Sequence, residues 1–148
     1  MFYHLTTHSA FSLLEGLLLP AELAQAAKEQ GMTALGLTDH RLLSGSIEFA
    51  AACRQADVQS ILGLEVDLPG GVLSLLATSL EGWANLCSLS SFLALQEDPN
   101  AACSIESLAP LSRDLIALCD MSDEPAGHPL SSSRSSSPTG CMSPCGSR

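Results

Sequence analysis

Three apolar runs of strand length constrain this chain more than any other feature: "TALGL" (33–37), "SILGLEV" (60–66) and "VLSLLA" (72–77). The first two hardly alternate between apolar and polar residues, which is the pattern of strands buried on both faces of a parallel sheet. Helical segments flank the first run. "LPAELAQAAKEQG" places Pro20 in its first turn, Glu22 at the positive end of the helix dipole and Gly31 at its close. "GSIEFAAACRQAD" comes between the first and second runs, with Ser44 or Ser46 placed to cap it. Residues 2–6 read as a short opening strand, and "PGG" makes a turn before the third run. A helix from about Leu80 to Gln96, a short helix from Ser104 and a last strand in "RDLIALCDM" complete the order β-α-β-α-β-β-α-α-β. Strands alternating with helices predict an α/β fold with a largely parallel sheet.

With 148 residues the chain has room for one domain with a real core. Its character changes after Asp123, where "SSSRSSSPTGCMSPCGSR" offers almost nothing to bury. The expected organisation is a folded domain over residues 1–121 and a disordered Ser/Pro/Gly-rich tail over 122–148. No window is apolar enough for a membrane span, and no basic segment precedes an apolar one at the start, so a cytoplasmic protein without membrane contact is expected.

Sixteen acidic and six basic side chains give a formal charge of −10. Before residue 121 the only basic side chains are Lys28, Arg41, Arg54 and Arg113. Such a surface repels phosphate backbones and excludes the domain as a duplex-binding module on its own, while it suits a divalent cation. Cys53, Cys87, Cys103 and Cys119 sit in apolar or helical patterns, where a free cysteine behaves as a small hydrophobe. Cys141 and Cys145 lie in the polar tail with no second ligand pair nearby, so a flexible tail is preferred there to a zinc knuckle.

Polar residues gather at strand ends, where parallel α/β folds place their functional groups. His4, Thr6 and His8 belong to the first strand and its exit, Asp39 and His40 end the second, and Glu65 lies near the end of the third. Imidazole and carboxylate together suit zinc, manganese or iron, and ions held this way activate water for phosphoester hydrolysis. Taken singly, each residue also fits a core histidine, a helix cap or a solvated strand end. On a regular strand His4 and His8 would share a face but stand about 13 Å apart, too far for one ion unless the chain bends at the strand exit.

The blocks "YHLTTHSAFSLLEG", "GMTALGLTDHRLLSGSIEFAAACRQADVQSILGLEV" and "LLATSLEGWANLCSL" resemble, in order, the opening of the PHP domain of bacterial DNA polymerase III alpha subunits. Error-prone alpha-type polymerases share this opening, and the resemblance covers about residues 2–121. It implies part of a distorted (β/α) barrel that holds metal ions at the C-terminal ends of its strands. His4 falls on the first histidine of the family's H-x-H motif, and Thr6 on the second. Glu15 matches the acidic residue, His40 the histidine of T-D-H, and Glu65 the glutamate of the next strand. Val72 falls near the next metal-binding histidine. The implied metal ligands are therefore His4, Glu15, His40 and Glu65, with His8 and Asp39 as further candidates. Arg41 stands where glycine is common, and a cation there disfavours metal beside His40.

The resemblance implies a module of DNA replication or repair with metal-dependent 3′–5′ exonuclease ancestry. Here the metal site would be degraded and the role structural. The polymerase palm with its catalytic aspartates is not among these residues, so DNA is expected as a partner only within a larger polymerase. Polymerase or repair proteins are the expected partners, and open strand edges allow self-association. The alternative is a stand-alone PHP phosphoesterase acting on a small phosphorylated substrate, and that needs a full ligand set.

Overall fold

A computed structural model describes residues 2–96, 98 and 101–119. The expected tail, with Cys141 and Cys145, lies outside the described residues. The elements are α1 (Pro20–Glu29), β1 (Ala34–Leu37), α2 (Ser46–Ala56), β2 (Gln59–Leu68), β3 (Gly71–Ala77), α3 (Leu80–Ala94), α4 (Ile105–Leu108) and β4 (Leu115–Cys119). A 3-10 turn, Ala109–Leu111, links α4 to the last strand. The strands form one sheet in the order β1-β2-β3-β4. β1 and β2 run parallel, joined through α2, whereas β2-β3 and β3-β4 pair antiparallel. An isolated parallel bridge between His40 and Glu65 carries the β1-β2 pairing to the ends where the polar residues stand.

The opening strand expected at residues 2–6 does not form. That segment is extended and lies along β1 in the parallel sense, where Gly36 N donates to the His4 carbonyl at 2.8 Å and Thr38 N to the Thr7 carbonyl at 2.9 Å. Two residues of β1 thus span three of the opening segment, and the extra residue breaks the ladder as a bulge does. The contact also requires Gly36, since a Cβ there would run into the Leu5 carbonyl.

Helix ends follow local chemistry with one exception. The Glu22 carboxylate accepts the Leu19 N–H at 2.8 Å at the start of α1. At its close, Gly31 has φ 72°, and the Gly31 and Met32 N–H groups donate to Lys28 and Ala27 carbonyls, a Schellman closure. Ser79 Oγ caps α3 by accepting from Glu81 N and Gly82 N. In contrast, neither Ser44 nor Ser46 caps α2. Its cap is Gly45, because that position packs against the Phe11 ring and the Asp39 carboxylate, which leaves no room for a side chain.

Two apolar clusters hold the fold. Leu23, Ala27, Leu35, Leu37, Phe49 and Cys53 join α1, α2 and β1. Leu64, Val66, Leu75, Leu86, Leu89 and Leu93 join the β2-β3 hairpin to α3. Within β2, Leu64 and Val66 are fully buried, so strand alternation turns Glu65 and Asp67 to the opposite face.

Burial pushes the Cys53 thiol up to about 11 and raises that of Cys103, where the nearby Arg41 charge opposes the effect. Alkylation of the native protein at pH 8 should therefore modify exposed Cys119 and spare Cys53 and Cys103, as read by mass spectrometry of the labelled peptides. A thiol whose folded pKa exceeds its unfolded value favours folding below pH 9.0, and this contribution disappears as the pH rises through about 11. Separately, Gly36→Val should lower stability by about 1–3 kcal/mol in urea unfolding, by forcing the opening segment off β1.

Candidate metal centre

The segment after Thr7 turns sharply, and this turn builds the site. Asp39, at the exit of β1, is 2% exposed and holds the turn through both carboxylate oxygens. Oδ1 accepts from Ser9 N at 2.7 Å and from Ser12 Oγ at 2.8 Å, while Oδ2 accepts from Ser9 Oγ at 2.7 Å. Ser12 Oγ in turn accepts the His40 N–H at 3.0 Å. A tight turn follows, with Glu15 N and Gly16 N both donating to the Ser12 carbonyl and Leu14 at φ 70°. His8 and Glu15, on either side of this turn, are thereby carried over the sheet to face Glu65.

His8 Nε2 lies 3.2 Å from Glu65 Oε1, and His8 Nδ1 lies 3.7 Å from Glu15 Oε2. One ligand atom from each of His8, Glu15 and Glu65 falls within 4.8 Å of the others. His8 Nε2 is buried and, despite the nearby carboxylate, is not aligned for a hydrogen bond, so it has no such partner. Ser74, the register partner of Glu65 on β3, donates to its Oε2 at 3.2 Å and fixes the carboxylate. An imidazole and two carboxylates, with a ring nitrogen that makes no hydrogen bond, are a donor set that fits one divalent cation.

His40 stands at the rim. Its Nδ1 is 3.6 Å from Glu15 Oε1, so Glu15 lies between the two histidines. Its Nε2 is 2.8 Å from Asp67 Oδ2, which also receives Arg41 NH1 at 3.3 Å. His4 is exposed and set edge-on against the Phe2 ring at 4.8 Å, and its carbonyl rather than its ring engages the sheet. Thr6 is exposed, and Val72 is exposed on β3 opposite Asp67. The structure thus brings together Glu15, Glu65 and His8, with His40 adjacent, and leaves His4 apart. The hydrogen bonds of Asp39 go to the serines of the turn.

Sequence reasoning passed over Asp67, Ser9, Ser12 and Ser74. For Asp67 a signal existed, since two-residue alternation in "LEVDL" puts it on the face of Glu65. The serines carried none.

A model of the PHP domain matches residues 4–133, and the chain belongs to that family. Among curated relatives, the error-prone DNA polymerase of Symbiobacterium thermophilum is 40% identical over 123 residues, covering 82% of this chain and 11% of that protein. DNA polymerase III subunit alpha of Caulobacter vibrioides is 33% identical over 138 residues, covering 84% of this chain and 12% of that protein. The chain therefore spans about a tenth of the length of these relatives and resembles their N-terminal module. A solved metal-dependent phosphoesterase from Bifidobacterium adolescentis shares the fold at TM-score 0.51 and 18% identity, over 61% of this chain and 32% of that one. Among the described residues no helix is long and apolar enough to cross a membrane.

Replacing Asp39 by alanine removes the acceptor of three buried hydrogen bonds and should cost about 3 kcal/mol in urea unfolding. Limited proteolysis should then cut first within residues 9–18, where the turn is released.

Proposed function

We propose that this chain is a PHP module of the DNA polymerase III alpha type, with a metal centre reduced to one divalent cation and a structural role beside a polymerase core. The observation that carries this reading is the His8–Glu15–Glu65 cluster, whose His8 Nε2 makes no hydrogen bond, next to His40 and Asp67 that are already engaged with each other. An ion there would supply Lewis acidity and an activated water. His8 and Glu65 would hold it, Glu15 would close it from the turn, and Ser74 would orient Glu65. Zinc, manganese and iron all suit this donor set. With Thr6 and Val72 at two positions where the family carries ligands, the family's full exonuclease centre lacks two of its donors. The acidic domain meets DNA only in the context of a larger polymerase.

The exposed apolar segment supports association with a polymerase or repair protein, or with a second copy. Leu13, Leu14 and Leu17 are 84%, 98% and 95% exposed along the turn that carries Glu15. Mass measured by light scattering should rise with concentration, and Leu14→Ser with Leu17→Ser should abolish the rise.

Metal analysis after loading with manganese or zinc should find one ion per chain, lost in His8→Ala and Glu65→Gln. Single-stranded 3′–5′ nuclease activity should not differ between the loaded protein and these variants. Absence of metal from the wild type would overturn the one-ion centre. Metal with nuclease activity that the variants lose would overturn the structural role. Hydrolysis of a small phosphomonoester, lost in the same variants, would favour the stand-alone phosphoesterase.

A further inference from the structure

We infer that the Arg41 guanidinium occupies the place of a second divalent cation, neutralising Asp67 and closing to metal the donors around it, namely the Asp67 carboxylate, His40 Nε2, the Gln96 amide oxygen and the Ala101 carbonyl; this rests on the one-ion reading above. Arg41 is the residue after His40, and its surroundings are those of a bound cation. NH1 donates to Asp67 Oδ2 at 3.3 Å and to the Ala101 carbonyl at 3.0 Å, and NH2 donates to Gln96 Oε1 at 3.2 Å. A carboxylate, a carbonyl and an amide oxygen, with an imidazole nitrogen on the same carboxylate, are hard or borderline donors that serve a divalent ion equally well. The side chain is only 13% exposed, so its charge is held inside the site rather than in solvent.

The backbone of Arg41 supports the assignment. Its φ is 61°, in the left-handed region where a side chain is disfavoured and glycine is at ease. The conformation is fixed from both sides, because Arg41 N donates to the Glu65 carbonyl at 2.8 Å and its carbonyl accepts from Ser90 Oγ at 2.9 Å. An arginine held in a conformation made for glycine, with its acceptors drawn from β2 and the loop after α3, is placed for its charge. On the other edge of the His40 ring, Nδ1 faces Glu15 Oε1 at 3.6 Å, so Glu15 belongs with His8 and Glu65 and not with the donors around Arg41. A divalent ion at Asp67 would sit against the guanidinium, and like charges at that range exclude each other.

The test compares wild type, Arg41→Gly and Arg41→Gln, loaded with Mn2+ and freed of excess, by metal stoichiometry and by the Mn2+ electron paramagnetic resonance spectrum. Arg41→Gly removes the cation and suits the left-handed backbone; Arg41→Gln keeps a polar side chain without charge, so the comparison survives poor folding of either. One ion in the wild type and two in either folded variant is the expected result. Adding Asp67→Asn to the variant should return it to one. No ion in the wild type but one in the variant, lost with Asp67→Asn, would still support the role of Arg41 while the one-ion reading fails. Equal stoichiometry in wild type and variants, at zero, one or two ions, would overturn the proposal.

Discussion

The buried carboxylate of Asp39 is the interaction on which the site depends. Water would solvate this charge well, and its removal to a nearly inaccessible position is tolerable only because three donors from Ser9 and Ser12 replace that solvation. In return, a loop with no helix or strand of its own is fixed to the exit of β1. His8 precedes the first of these serines and Glu15 follows the second, so both inherit their positions from a carboxylate whose own bonds go to the turn. The same carboxylate lies against Gly45, which explains why the next helix starts on a glycine rather than on either neighbouring serine. One buried charge therefore sets the turn, the entry to α2 and the geometry of the donor set.

From the other side, the site rests on the alternation of β2. Leu64 and Val66 enter the core under α3, and this leaves Glu65 and Asp67 no choice of face. The two carboxylates then have different fates. Glu65 is steadied by Ser74 and faces a His8 nitrogen that makes no hydrogen bond, whereas Asp67 is held by His40 and Arg41. Two residues apart on one strand, one carboxylate is left available to a cation and the other is already neutralised.

Much of this was legible in the sequence. Long apolar runs between helical segments gave the α/β order from α1 onward, and "PGG" gave the β2-β3 hairpin, because periodicity and turn chemistry are local. The opening segment was less legible, since its backbone bonds to β1 depend on an inserted residue and on the missing Cβ of Gly36, both tertiary facts. The same holds for His8. A strand through residues 2–6 continued to position 8 would separate the two histidines and favour His4, whereas the turn imposed at Ser9 brings His8 over Glu65 and leaves His4 against Phe2. Nothing in the composition of "HSAFS" marks those serines as ligands of a carboxylate thirty residues away.

Arg41 shows how local disagreement can be more informative than agreement. Every other signal at the end of β1 is consistent: an apolar run, a buried Asp39 that organises the turn, and a histidine in reach of carboxylates. An arginine then follows at a backbone conformation that glycine would adopt without strain. If its role were only solubility, solvent would hold the guanidinium and the left-handed turn would bring no compensation. Instead the charge is mostly enclosed and shared among three acceptors from β2 and the loop after α3, one of them the carboxylate that binds His40. The strain is balanced by electrostatics inside the site, and on the proposal above the guanidinium, in place of a second ion, neutralises Asp67.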